Sequence, residues 1–218
     1  MIIVIEGTDG SGKQTQTKLL YEYLLSKNKK IKTQSFPNYE SQSSFFVKKY
    51  LNGELGSLNS LSAKECSTFF AIDRLLTMKN YNSFLKNGGI LLLDRYVSSN
   101  MLHQASKIDD EKERKEFISW LEKFEFQDLC LPKQDITFFL DLKPEISKKL
   151  RENRALKVGG EKDIHEENEE YLKNCYTRGI KLAKEKNWHI IKCYEGNNNI
   201  LTIDEIQQKI QNIINKYI

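Results

Sequence analysis

Three prolines in 218 residues, and no tract rich in Gly, Ser or Pro, exclude a collagen-like or low-complexity chain. Cysteine is also sparse. Cys66, Cys130, Cys175 and Cys193 lie far apart with no CxxC pair, so neither a disulfide framework nor a zinc site is expected, only reduced thiols. Long hydrophobic runs are missing too. Residues 1–5 and 90–93 are the longest candidates, far short of the ~18 that a membrane span needs. The opening residues carry no basic leader, which predicts a cytoplasmic protein without a targeting segment. Excess charge of one sign is absent, because 34 basic against 30 acidic residues leave +4 spread along the chain. That speaks against a nucleic-acid binder, and Lys27, Lys29, Lys30 and Lys32 read as a solvated helix end without an aromatic ladder. Arginine is far scarcer than lysine: Arg74, Arg95, Arg114, Arg151, Arg154 and Arg178 are the full set. Its planar fork suits phosphates and base edges, so these positions carry weight.

What is present is alternation. Short apolar runs at 2–6, 31–36, 90–94, 135–141 and 188–193 read as strands. Helical patterns fill 13–27, 40–51, 63–85, 97–107, 111–126, 144–154, a long stretch ending near Lys186, and 203–217, with Thr202 or Asp204 near the last cap. A polar, glycine-containing segment occupies 155–163. Strands alternating with helices indicate a three-layer α/β domain with a parallel sheet, whose ligands sit outside the carboxyl ends of the strands. Residues 7–15, 36–39 and 94–96 fall at such ends.

Gly7-Thr8-Asp9-Gly10-Ser11-Gly12-Lys13 follows a strand and opens a helix, the context that makes GxxxxGK a phosphate loop. Its backbone N–H groups can ring a phosphate, helped by the helix N-terminus, while Lys13 neutralises the outer phosphates. The next position, usually Ser or Thr for the hydroxyl that meets Mg²⁺, is Gln14, with Thr15 following. Asp9 would repel an anion, so it is expected to point away, towards a sugar hydroxyl or a metal. At the end of another strand, Arg95 can fork onto a second phosphate, with Asp94 orienting it or holding Mg²⁺ through water. Phe70 and Arg74, four apart on a helix, share a face and offer a ring and a donor to a planar base.

Taken in order, Gly7–Lys13 with Asp9 inside, Phe36-Pro37-Asn38-Tyr39, Phe70-Ala71-Ile72-Asp73-Arg74, Asp94-Arg95-Tyr96-Val97-Ser98-Ser99-Asn100 and Lys162-Asp163-Ile164-His165-Glu166 resemble bacterial thymidylate kinases, over about residues 1–215. The resemblance implies a P-loop nucleoside monophosphate kinase fold, with a five-stranded parallel sheet and a short lid at about 155–163, in one domain spanning 1–218. It also implies transfer from ATP, with Mg²⁺, to dTMP, and a homodimer packed through helices such as 63–85. ATP would lie on Gly7, Asp9, Gly10, Ser11, Gly12, Lys13, Gln14 and Thr15. By the same resemblance, Asp9 meets the sugar or its magnesium, and Phe36, Tyr39 and Arg95 hold the acceptor phosphate. Phe70 stacks on thymine, Arg74 donates to its carbonyl, and Asn100 with Ser99 reads the remaining edge. Gln104, His103 and His165 sit at contact positions of the family, with plain helix surface an equal reading for His103. Asp163 and Glu166 close from the lid, and Asp9, Asp94 and Glu166 are the metal candidates. Because the phosphate loop has no Arg, Arg154 and a lid lysine, Lys157 or Lys162, are expected to join Lys13, Arg95 and Asp9 in catalysis, with Arg151 also available. The rival readings are a kinase for dUMP, dCMP or thymidine, and a non-catalytic nucleotide sensor.

Overall fold

The computed structural model describes residues 1–158, 164–165, 168–196 and 199–218, with the side chains of 153–158 outside the description. The chain begins with β1 (Ile2–Gly7), α1 (Lys13–Ser26), β2 (Ile31–Ser35), α2 (Phe45–Leu51) and α3 (Ala63–Met78). Then come α4 (Asn82–Lys86), β3 (Ile90–Asp94), α5 (Val97–His103), α6 (Glu111–Glu122) and β4 (Ile136–Asp141). The order ends with α7 (Pro144–Val158), α8 (Glu169–Glu185), β5 (His189–Lys192), β6 (Tyr194–Glu195), β7 (Asn199–Ile200) and α9 (Ile203–Ile214).

Five strands form one parallel sheet in the order β2-β3-β1-β4-β5. Side chains of a strand alternate between faces, and β1 is apolar on both. Ile2 and Val4 join Leu91, Leu93 and Phe139 under α5, α6 and α8, whereas Ile3 and Ile5 join Leu92, Phe138 and Leu140 under α1 and α9. Two cores separated by a sheet are the three layers that the alternation predicts. The chain leaves β1 towards β2 on one side and leaves its neighbour β4 towards β5 on the other, so the crevice opens beyond the carboxyl ends of this pair.

Several boundaries differ from the sequence reading. The helix expected over 63–85 ends at Met78, passes through a 3₁₀ turn and resumes as α4. Tyr81, whose hydroxyl donates to Gln34 Oε1 at 2.8 Å, pins that turn to β2. The helix expected over 40–51 is a 3₁₀ turn followed by α2, and 97–107 likewise divides into α5 and a 3₁₀ turn. The helix expected over 111–126 leaves α geometry at Glu122 and continues as a π-helical turn, Lys123–Asp128. Helix α7 runs to Val158, so the start of the expected lid segment, 155–158, is helical. The small antiparallel pair β6–β7 has no counterpart in the sequence reading.

Candidate active site

Between β1 and α1 the phosphate loop closes on itself. The Ser11 N–H donates to the Thr8 carbonyl at 3.2 Å, and Lys13 Nζ donates to the same oxygen at 2.9 Å. Gly12, at φ 87°, occupies the left-handed region just before α1, where a side chain would strain the backbone. Gly10 is required by contact as well as conformation, since a Cβ there would lie 2.8 Å from Arg151 Cγ and 2.9 Å from the Ser147 carbonyl oxygen. Helix α7 thus packs directly on the loop, and Arg151 Nη1 donates to the Asp9 carbonyl at 2.9 Å.

Asp9 itself turns inward. Its Oδ1 pairs with Arg95 Nη2 and lies 4.0 Å from Lys13 Nζ. Burial alone would raise the Asp9 pKa, but Arg95 and then Lys13 hold the carboxyl well below the usual carboxylate range. Burial and Arg95 together bring the Lys13 ammonium down to about 8, against the pull of Asp9. The pairing of Asp9 with Arg95 is a contact absent from the sequence reading, which turned Asp9 towards a sugar hydroxyl or a metal and gave the orienting of Arg95 to Asp94. In the protein as folded Asp9 orients Arg95, and Asp94 lines the same cleft.

Arg95 reaches Asp9 because β3 ends in a sharp turn. Its φ of 69° is left-handed, and the turn is held by two bonds. Arg95 N–H donates to the Ile5 carbonyl at 3.1 Å, and Tyr96 N–H to Glu6 Oε1 at 3.1 Å. Glu6 is wholly buried and also accepts from Ser98 at 2.8 Å and Ser99 at 2.9 Å. Burial pushes its pKa up, against Arg95 and Ser98. Sequence reasoning took Glu6 only as the end of a strand; the signal was a charged residue closing a β-branched run. Arg95 Nη1 further donates to Ser99 Oγ at 3.3 Å and stands 3.1 Å from His103 Nε2.

These groups line one cleft of about 1150 Å³ at the carboxyl ends of the strands. It brings together Asp9–Thr15 with Phe36, Tyr39, Phe70, Arg74, Asp94, Arg95, Ser99, Asn100 and Gln104, together with His103, Arg151 and His165. Phe36 is a correction: its ring is buried against Tyr96 and its N–H donates to the Asp94 carbonyl at 2.9 Å, so it shapes the cleft and has no donor left for a phosphate. Tyr39 stands half exposed at the rim. Its loop is tied down by Asp73, another residue the sequence did not single out, which accepts from Asn38 N–H at 2.8 Å and from Ser43 Oγ. Phe70 meets Tyr50 edge-on at 6.2 Å. Arg74 and Asn100 are both buried and both bonded to Glu125, which has no signal in the sequence.

His103 is buried on the cleft wall rather than on a helix surface. It stacks on His165 with ring centres 5.7 Å apart and planes 9° from parallel, and His165 Nε2 lies 2.9 Å from the Tyr50 hydroxyl. Burial pushes both imidazoles down, His165 to about 4, so the pair is neutral at pH 7. Gln104 is fully buried, and neither its Oε1 nor its Nε2 has a hydrogen-bond partner. Lys162, Asp163 and Glu166, the glycines at 159–160, and the side chains of Arg154 and Lys157 lie outside the described residues. Among the described residues, no three His, Cys, Asp or Glu side chains gather as a metal site.

The thymidylate kinase family profile matches residues 5–209. Thymidylate kinase of Mycobacterium tuberculosis is 31% identical over 161 residues, 73% of this chain and 74% of that one. A probable thymidylate kinase of Methanosphaera stadtmanae is 31% identical over 221 residues, covering 100% of this chain and 99% of its own. Among solved structures, thymidylate kinase from Candida albicans superposes with a TM-score of 0.75 over 99% of this chain and 91% of that one, at 23% identity, a likeness of fold. The family match takes in the phosphate loop, the Arg95 turn and the cleft between them, and the chain belongs to the thymidylate kinase family.

Proposed function

We propose that the cleft holds two anions side by side, the phosphates of ATP on the loop 7–15 and the phosphate of dTMP at Arg95. As a member of its family the chain is a nucleoside monophosphate kinase, phosphorylating dTMP to dTDP. One observation carries the assignment of residues: Lys13 and Arg95 converge on the same oxygen of Asp9, so two cations from two strand ends face one volume. The acceptor oxygen belongs to a phosphate already ionised, so no strong general base is needed. Catalysis reduces to aligning two anions and screening their repulsion. Lys13 supports the donor side, and Arg95 with Tyr39 receives the acceptor. Phe70 offers a face to the base, and Leu150, Ile200 and Leu201 provide apolar wall beside the loop for the purine.

Asp9 and Asp94 both line the cleft and can supply oxygens to Mg²⁺, and Glu166 remains a candidate from the sequence. The absence of a three-residue acidic cluster among the described residues suits a cation that takes most of its ligands from substrate phosphates and water. Bound there, the ion would neutralise charge on the bridging phosphate oxygens. The segment 155–163 as a lid on a single unit spanning 1–218 is part of the same reading. It is supported by α7, which leaves the cleft wall at Leu150 and Arg151 and runs into that segment. A role in transfer for Arg154 and a lid lysine belongs to it as well.

A homodimer is also proposed. Phe46, Ile72 and Leu76 are 52%, 40% and 46% exposed, and Phe46 stacks on Phe69, so positions 69, 72 and 76 make one apolar stripe on α3. Four free cysteines support a reducing, cytoplasmic setting, and no helix among the described residues is long and apolar enough to cross a membrane.

The test is ADP release from ATP and Mg²⁺ with dTMP, dUMP, dCMP and thymidine in parallel. Strong turnover with dTMP, weaker with dUMP and none with thymidine is expected. Lys13→Ala should cut turnover by about a hundredfold or more while dTMP still binds. A loss of only a few-fold would remove Lys13 from the phosphate site.

A further inference from the structure

Glu125 takes no part in the chemistry above, yet it holds the two side chains assigned to the base. It lies in the π-helical turn Lys123–Asp128, wholly buried. Such turns widen the helix and redirect a side chain. Arg74 donates to both of its oxygens, Nε to Oε2 at 2.6 Å and Nη2 to Oε1 at 2.6 Å. Asn100 Nδ2 donates to the same Oε1 at 3.2 Å and to the Ser67 carbonyl at 3.3 Å. A carboxylate and a carbonyl can only accept. The Asn100 amide therefore has one orientation open to it, nitrogen towards Glu125 and Ser67, with Oδ1 left as its free acceptor. Arg74 has Nε and Nη2 engaged and Nη1 3.4 Å from the Tyr96 carbonyl, with a second N–H on Nη1 still to give. Both side chains line the cleft beside Phe70.

We propose that Glu125 is a positioning residue that fixes the polarity of the base-reading edge, Arg74 as donor and Asn100 as acceptor, before any substrate arrives. The matching ligand places a carbonyl oxygen beside a ring N–H, as a 4-oxopyrimidine does. A 4-aminopyrimidine offers an amino N–H and a bare ring nitrogen, reversed at both points. A polar site that is prearranged and buried rejects a mismatched partner strongly, because the mismatch leaves its groups unpaired. The inference deepens the proposed function: it rests on the placing of the base against Phe70 there and on the base-reading roles that the family resemblance implies for Arg74 and Asn100.

The experiment compares wild type with Glu125→Gln, a change of one acceptor oxygen into a donor with the shape kept. With the glutamine amino group in the place of Oε1, the Arg74 fork keeps only its Nε–Oε2 arm and loses the Nη2 bond, and the Asn100 amide is driven to turn over. Expected is a fall of about tenfold or more in kcat/KM for dTMP, carried by KM, with that for dCMP held or raised, so that the ratio between them narrows at least as much. The KM for ATP should stay within about twofold. Equal losses on dTMP and dCMP, or an unchanged ratio, would overturn the proposal and leave Glu125 a structural group. Wild type silent on dTMP would instead sink the underlying assignment of the site. If the variant fails to fold by circular dichroism, ¹⁵N NMR of ligand-free wild type decides. Sharp, slowly exchanging Arg74 Nε and Asn100 Nδ2 signals are expected, and signals averaged by rotation would refute prior fixing.

Discussion

Asp9 joins two cations that stand far apart in the sequence, and its role follows from distance, not from type. An acid in a phosphate loop looks like a repulsive defect until Arg95 folds back onto it. Lys13, Arg95, Arg74 and Asn100 were legible as residues because their motifs fix both type and spacing. Glu6, Asp73 and Glu125 were not, because a single buried acid satisfied by distant backbone or by an arginine has no local pattern. The thiols permit a test at this scale. Cys175 and Cys193 are buried and burial pushes each up to about 12, whereas Cys130 is exposed. Thiolate is the reactive form, so its fraction at these buried sites stays minute up to pH 9. Native protein at pH 8.5 should take up about one equivalent of iodoacetamide, at Cys130, and about four once unfolded. Rapid native alkylation of Cys175, read by peptide mass, would contradict the packing around it.

Elements are stopped and started by contacts that the chain does not advertise locally. The apolar period of 63–85 is continuous, but Tyr81 is tied to Gln34 on β2, and the helix divides there. The π-helical turn exists where Glu125 must reach Arg74, a demand set 51 residues away. Strands β6 and β7 are two residues each, too short for any alternation to show. Caps are the opposite case. Thr202 Oγ1 accepts from Glu205 N–H at 3.3 Å while Glu205 Oε2 accepts from Thr202 N–H at 2.7 Å, a capping box on α9 that decides for Thr202 between the two cap residues legible in the sequence. Thr202→Ala should cost about 1 kcal/mol. Calorimetry should then show a fall of about 2–4 °C in Tm, with KM values unchanged. A cap that could be removed without any shift would mean that α9 is held by its apolar face alone.

Alternating strands and helices specify the whole molecule well, since a βαβ chain has few ways to bury both faces of β1. Strand order 2-3-1-4-5 then brings the ends of β1, β2 and β3 to one cleft, which is why motifs about 30 and 60 residues apart meet. Assembly is less legible, because an exposed stripe on α3 uses the same helical period as a core face. Helix α3 carries both, with Arg74 inward and Ile72 and Leu76 outward. Ile72→Glu with Leu76→Lys should convert a dimer into a monomer by sedimentation velocity, and an unchanged sedimentation coefficient would refute pairing through α3. The ion pair at the head of the cleft bears on turnover in another way. Arg95 has a carboxylate partner in the empty cleft, so the cation does not stand bare before the proposed acceptor comes or after its product goes. On the proposed placing of the acceptor, release of product therefore leaves Arg95 with a counter-charge already in reach, and an uncompensated cation is no part of its cost.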